Sequence, residues 1–301
     1  MEQPHQGPAP AVEVDGEAPE QADSTYGDEL SSYSTSLASN VKNYEWKHGR
    51  RYHSYQAGSY KFPNDDREQD RLDGRHHVSF RVLGDRLFLA PIKPDGMRIL
   101  DMGTGIGIWP MQLGDMYPSA ELIVGNDLSP IQPQCPNRII HCRYMAASIR
   151  DWPKLVQQCY DNLKPGGWVE FEEGIPDLNS EDGTVKPDNN VANMLRLLGE
   201  ACDKVGQTTR PLHVLMDSLE KVGFRNIEKK MFKVPVGTWP KDQRLKEIGA
   251  FMAMDLIDGV EAWTLVPFTE ILGWSRQEVE VLNATVRNDV GRRDIHYLFD
   301  L

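Results

Sequence analysis

Cysteine is scarce and scattered in this 301-residue chain, at Cys135, Cys142, Cys159 and Cys202, with no C-x-x-C pair. That spacing argues against a zinc knuckle or a disulfide framework and leaves free, mostly buried thiols as the expectation. No metal site is expected. Long apolar runs are missing as well. None approaches the roughly 18–20 residues that a bilayer crossing needs, and no basic stretch followed by an apolar one opens the sequence as a secretory signal would. Neither membrane association nor export is therefore expected, and a soluble protein of the cytoplasm or nucleus is. Positive charge is in deficit. The 33 Lys and Arg against 45 Asp and Glu give a net charge of −12, which disfavours nucleic-acid binding. The P-loop pattern G-x-x-x-x-G-K-[ST] does not occur either.

The charge is unevenly spread. Residues 1–41 hold eight Asp or Glu and no Lys or Arg, in a stretch rich in Pro, Ser, Gly and Ala. It lacks the apolar density to offset chain entropy and is expected to be a disordered acidic tail. The rest, 42–301, reads as one α/β domain. Residues 42–95 are aromatic, charged and poor in β-branched residues, and read as short helices and loops that wrap a core. Residues 96–175 carry the strand and helix signals of that core, and 176–301 a helical lid with the last strands.

The chemistry begins at residues 97–109, MRILDMGTGIGIW. Ile99, Leu100 and Met102 make an apolar strand around Asp101, and Gly103, Gly105 and Gly107 alternate behind it. A helix then opens with Trp109, Met111 and Leu113, and Pro110 is tolerated in its first turn. Next, AELIVGND reads as a second parallel strand buried on both faces and ending in Asp127. Strand, glycine turn, helix, strand and acid open a doubly wound domain. A dinucleotide site has G-x-G-x-x-G built around a pyrophosphate. Here the third glycine comes one residue early and position 108 is Ile, which disfavours a nicotinamide oxidoreductase. The G-x-G-x-G turn lets a cofactor lie close to the backbone, Asp101 is placed to orient an amino group or a water, and Asp127, 20 residues after Gly107, is placed for two ribose hydroxyls. This is the arrangement used for S-adenosylmethionine.

DWPKLVQQCYDNLKPGGWVEFEEG repeats the pattern: Asp151 caps a helix with core face Leu155, Val156, Cys159 and Leu163, K-P-G-G ends it, and Trp168–Phe171 is a strand. L-K-P-G-G before an apolar strand points to a class I methyltransferase. Further on, Val191, Met194, Leu195, Leu198, Cys202 and Val205 form one helical face, and Leu212, Met216, Leu219 and Val222 another. Ser275 and Glu278 make a capping box. Met231, Trp239, Met252, Met254, Trp263 and Trp274 gather where an apolar acceptor pocket is expected.

Several stretches together resemble the fungal LaeA-like (UMTA-type) S-adenosylmethionine-dependent methyltransferases: HGRRYHSYQAGSYKFPNDDREQDRLDGRHH, ILDMGTGIGIW, NDLSPIQP, RYMAASIRDWPKLVQQCYDNLKPGGWVEFEE, GTWPKDQRLKEIGAF and LGWSRQEVEVLNATVRNDV. The likeness covers roughly residues 44–298. It implies a Rossmann-like class I methyltransferase fold, a mostly parallel sheet flanked by helices with added N- and C-terminal helical segments. It also implies S-adenosylmethionine as cofactor, a small-molecule acceptor and a place in secondary metabolism. By motif position it puts Gly103, Gly105, Gly107 and Asp127 at the cofactor, with Asp101 behind the turn and Tyr52 and His53 closing over it. Relatives carry about twenty more residues after S-P-I-Q-P, which supply a third strand and the acidic turn that meets adenine. In this chain Ile139 follows Asp127 by only 12 positions, so one strand is expected to be lacking. Two functions stay open: an active methyltransferase, or a catalytically impaired accessory partner. His141, Arg143, Tyr144, Glu172 and Glu173 fall near the donor methyl, and none is chosen as a base, because an apolar aligned pocket supplies much of methyl transfer by proximity alone.

Overall fold

The computed structural model describes residues 44–53, 60–127 and 137–301. The acidic tail, S-P-I-Q-P and Cys135 lie outside the described residues. The described part opens with a hairpin of β1 (Glu45–Lys47) and β2 (Arg50–Tyr52), where short helices were expected. The reason is local: His48 and Gly49 both take positive φ (52° and 83°), the tight hairpin turn that matches strand twist. Helix α1 (Asp66–Val82) follows. Its N-cap Asp65 accepts from the Glu68 amide at 3.1 Å and is clamped by Arg50 through Nε and Nη2 at 2.5 and 2.9 Å. Cap and hairpin are thus one unit.

Strand β3 (Arg98–Met102), helix α2 (Ile108–Met116), β4 (Leu122–Asn126), β5 (Asn137–Arg143), α3 (Trp152–Asp161) and β6 (Leu163–Glu172) build a four-stranded parallel sheet in the order β4-β3-β5-β6. Alternation along each strand divides its two faces. Ile99 and Ile139 pack with Trp109 and Leu113 on one side, while Leu100, Met102, Ile140 and Cys142 pack with Cys159 on the other. One expectation is corrected here. AELIVGND is not buried on both faces, since β4 is an outer strand with Leu122 exposed and Ile123 and Val124 half-buried. Among the described residues no strand lies beyond it to cover it. K-P-G-G falls inside β6 rather than before it, as a break in register between Asn137–Leu163 and Ile139–Trp168, with Gly166 at φ +76°.

The second half holds β7 (Ile175–Asn179), α4 (Asn190–Lys204), α5 (Leu212–Val222), β8 (Lys233–Val236), α6 (Gln243–Val266), a π turn at Pro267–Ile271, α7 (Arg276–Val290) and β9 (Tyr297–Asp300). The three strands pair antiparallel in the order β7-β9-β8. The expected face of α4 is buried at Val191, Met194, Leu195, Leu198 and Cys202. On α5 the buried positions are Leu215 and Ser218, and Leu212, Met216, Leu219 and Val222 only flank them. The Ser275–Glu278 capping box and the Asp151 cap are both present. Cys142, Cys159 and Cys202 are free and buried. The largest core joins α1, α4, α6 and α7 to β8 and β9 through Val78, Met194, Met252, Leu256, Val286 and Tyr297.

Candidate donor and acceptor site

The turn after β3 is held by backbone and side chain together. The Thr104 amide donates to Asn126 O at 2.8 Å, tying the turn to the end of β4. The Thr104 hydroxyl donates to Asp101 Oδ2 at 2.8 Å. Its side chain also fills the space that a Cβ on Gly125 would need, at 2.5 Å. Burial pushes the Asp101 carboxyl up to about 6, against the opposing pull of the Thr104 hydrogen bond and the Arg143 charge. Asp101 therefore supports the turn from beneath.

Gly103, Gly105 and Gly107 all have positive φ, at 69°, 53° and 79°, a conformation costly for any residue with a Cβ. A Cβ on Gly103 would overlap the Met145 thioether, so the cradle is shaped by the absence of side chains. Asp127, one residue past β4, accepts the Gly105 amide on Oδ2 at 2.8 Å. Three bare left-handed positions with a carboxylate on the adjacent strand end fit a nucleoside close to the backbone.

His53 lies near this carboxylate: burial lowers its pKa and the Asp127 charge raises it in opposition. Its ring meets Tyr60 edge-on at 6.0 Å. Tyr52 stands apart. Its charged neighbours are Arg50, Asp65, Glu270 and Glu261, burial pushes its phenol up to about 12, and its buried hydroxyl has no partner among the described residues. The sequence-selected residues Asp101, Gly103, Gly105, Gly107, Asp127 and His53 thus gather at one place, and Tyr52 does not join them.

Helix α1 roofs the turn. Leu72 Cδ1 comes within 3.9 Å of a Cβ position on Gly105. His76 bridges Gln112 of α2 at 2.6 Å and Arg143 of β5 at 3.0 Å. Beside the turn, at the carboxyl ends of β5 and β6, lies a cavity of about 180 Å³. Tyr144, Ala146, Gly174 and Ile175 form its floor, and Val78, Met252, Leu256 and Trp263 its apolar wall. Met145, whose thioether abuts Gly103, sits between two floor residues, so cradle and cavity share one partition. A larger groove of about 810 Å³ runs along the outer edge of β6, facing residues 223–232, away from the glycine turn.

Charged residues that the sequence did not single out, Arg75 and Asp255, line the cavity, and Arg71 and Glu68 brace them. Arg71 pairs with Glu68 at 2.6 and 3.0 Å and with Asp255 at 2.5 Å, and Arg75 reaches Asp255 at 3.1 Å. The Arg75 guanidinium also lies over the Tyr144 ring at 4.4 Å. The Arg-x-x-x-Arg spacing put both on one helical face, but their carboxylate sits 184 and 180 positions away. Of the Met and Trp residues expected at an acceptor pocket, Met252 and Trp263 line this cavity. Met254 is exposed, Met231 belongs to the groove, Trp239 stacks on His296, and Trp274 meets Phe268 edge-on.

The strand-end residues near the donor methyl resolve differently. His141 is fully buried inside β5 and stacked on Trp109 at 4.1 Å, both ring nitrogens unpartnered among the described residues. Glu173 accepts the Met145 and Ala146 amides at 2.8 and 3.0 Å, and burial pushes it up to about 8. It fixes the partition. Glu172 is buried with both oxygens unpartnered among the described residues. No group of side chains among the described residues could hold a metal ion.

A family model described as a methyltransferase domain matches residues 75–229, which is half of the sequence and includes the glycine turn, Asp127 and both strand ends. The chain belongs to this methyltransferase family. Among its relatives, methyltransferase pytC of Aspergillus terreus is 50% identical over 313 positions, covering 97% of this chain and 94% of its own length. That alignment is longer than the whole 301-residue chain, so about twenty positions of the relative face no residue here. The secondary metabolism regulator LAE1 of Cochliobolus heterostrophus is 32% identical, covering 83% of this methyltransferase and 90% of the regulator. Among solved structures, the mycolic acid cyclopropane synthase CmaA1, complexed with SAH and CTAB, aligns with a TM-score of 0.44 at 13% identity, over 82% of this chain and 90% of that one.

Proposed function

We propose that this methyltransferase uses S-adenosylmethionine to methylate a small-molecule acceptor in a fungal secondary-metabolite pathway. The observation that carries the reading is the hydrogen bond from the Gly105 amide to Asp127 Oδ2 at 2.8 Å. It sets a carboxylate against a side-chain-free cradle at the carboxyl ends of adjacent parallel strands, where open α/β sheets bind ligands. Gly103, Gly105 and Gly107 would hold the cofactor against the backbone, Asp127 would accept from its ribose hydroxyls, and His53 would cover it. When bound, the cofactor supplies an electrophilic methyl group on a sulfonium sulfur. The chain's part is to align the acceptor in the cavity behind Met145 and to exclude water, with α1 and α6 as the roof. No helix among the described residues is long and apolar enough to cross a membrane, and we place the protein in the cytoplasm or nucleus.

Isothermal titration of S-adenosylmethionine into the full chain tests this. Saturable binding that Asp127→Asn weakens supports it, and no heat at millimolar cofactor overturns it. A second reading, a non-catalytic partner in secondary metabolism, draws on one observation: β4 is the outer strand of the parallel sheet, leaving the adenine side of Asp127 without a neighbouring strand among the described residues. Cofactor binding without turnover on any pathway metabolite would favour it, and a protein partner would then be sought by co-purification.

A further inference from the structure

The cavity at the ends of β5 and β6 has one cationic donor that its surroundings leave incompletely used. Arg75 Nη1 is occupied by Asp255 Oδ2 at 3.1 Å and the Met252 thioether at 2.8 Å. Its Nη2 makes no hydrogen bond among the described residues and lies 3.7 Å from the Cβ position of Gly174, on the cavity floor. The guanidinium cannot swing away. It is stacked on Tyr144, whose hydroxyl is fixed by Ser79 at 2.7 Å, and anchored by a carboxylate that Arg71 also grips. Around that donor the walls are apolar: Val78, Met252, Leu256 and Trp263.

The same cavity holds little to remove a proton. Asp255 is buried and engaged by two arginines. Burial pushes the Tyr144 phenol up to about 12, so it stays protonated at neutral pH. No histidine lines the cavity, and the other side-chain carboxylate on its lining, Asp300, is on β9, the strand that pairs with β8. Outside the cavity, Glu172 and Glu173 lie on the groove side of β6, and Glu173 is engaged by the Met145 and Ala146 amides.

We infer that the methyl acceptor is an acidic enol or phenol, held as its oxyanion by the free edge of the Arg75 guanidinium, with its carbon skeleton against Val78, Leu256 and Trp263. A planar guanidinium with a fixed orientation suits an anionic oxygen, and an apolar surround strengthens that contact. An acceptor that arrives ionised also needs no base. Its oxygen forms the new bond to carbon, the departing sulfur takes the electron pair of the bond that breaks, and opposite charges cancel with no proton to place. Arg75 is then the specificity-determining residue. The inference rests on the methyltransferase reading for what happens to the acceptor, but not for its binding.

The test uses two small probes on the full chain loaded with S-adenosylhomocysteine: 1,3-cyclohexanedione, an acidic enol, and cyclohexanol, its non-acidic analogue. Binding is read by isothermal titration and saturation-transfer NMR. The enol should bind at least about tenfold tighter than the alcohol, the range expected of a charge-assisted hydrogen bond. Arg75→Met should erase that preference and Arg75→Lys should keep part of it. The fold should survive, because Arg71 still holds Asp255, and unchanged S-adenosylhomocysteine affinity would show that it does. Equal binding of the two probes, or an enol preference that persists in Arg75→Met, overturns the inference. So does a loss of S-adenosylhomocysteine affinity in a folded Arg75→Met, which would move Arg75 to the donor site. If the wild type binds no S-adenosylhomocysteine yet retains the Arg75-dependent enol preference, the anion site stands and the methyltransferase reading falls.

Discussion

Alanine at Gly103 should be much more harmful than alanine at Gly105, although both glycines sit in one turn. At both positions the left-handed backbone, φ 69° and 53°, costs a residue with a Cβ about 1–2 kcal/mol. They differ in surroundings. A Cβ on Gly105 meets only Leu72 Cδ1 at 3.9 Å, an ordinary contact, whereas one on Gly103 overlaps the Met145 thioether. Overpacking of that kind adds about 1–3 kcal/mol, held toward the lower end because a methionine can bend. Gly103→Ala should therefore cost about 2–4 kcal/mol and Gly105→Ala about 1–2, against the ~5–15 kcal/mol of a typical domain. Urea melts of the two variants, of Met145→Ala and of the Gly103→Ala/Met145→Ala pair close a double-mutant cycle. The cycle should return a coupling of about 1 kcal/mol or more, with the double variant less stable than wild type but more stable than the sum of its parts. Equal losses at the two glycines, or no coupling to Met145, would refute the reasoning that a side-chain-free cradle is set by this partition.

Other outcomes follow from the same geometry. Asp127→Asn removes a charged acceptor from the cradle and should weaken S-adenosylmethionine by about tenfold or more, since hydrogen bonds to charged groups contribute ~1.5–3 kcal/mol; titration calorimetry reads it. Glu173 sits at about 8 in the folded chain and near 4.3 unfolded, so the folded state binds the extra proton. Its contribution to stability is complete below about pH 4, declines as pH rises through the folded value and is gone above it. Thermal melts should thus fall between about pH 4 and pH 8, and Glu173→Gln should flatten that fall; an unchanged slope would sink the assignment. His141→Phe removes two orphaned ring nitrogens while keeping the stack on Trp109, and should raise stability by ~1 kcal/mol in a urea melt. A loss of methyl transfer in a stable His141→Phe protein would instead restore this histidine to the chemistry.

The donor side was legible because its signals are local. Three alternating glycines, an apolar strand before them and an acid at the end of the next strand can each be read within thirty residues, and they do gather. The edge position of β4 was not legible from its own letters: LIVGN is as apolar as an inner strand, and its exposure reflects that no strand among the described residues stands beside it. Long-range pairing hid the acceptor side. Nothing about Asp255 in an α-helical run marks it as the counterion of Arg71 and Arg75, whose helix lies on the other side of the parallel core in sequence. His141 and Glu173 show the opposite error of local reading. Strand-end polar residues look chemical, yet one is a stacked core side chain and the other a brace for the Met145–Ala146 backbone.

The partition at Met145 also bears on how such proteins diverge. On one side stand glycines and an acid whose backbone geometry tolerates almost no substitution. On the other, Val78, Met252, Leu256 and Trp263 are helical side chains that can be exchanged for others of similar bulk without moving the strands. A lineage can therefore reshape the acceptor chamber by drift in α1 and α6 while the donor cradle stays fixed. Relatives that share the glycine turn then need share nothing of their acceptors.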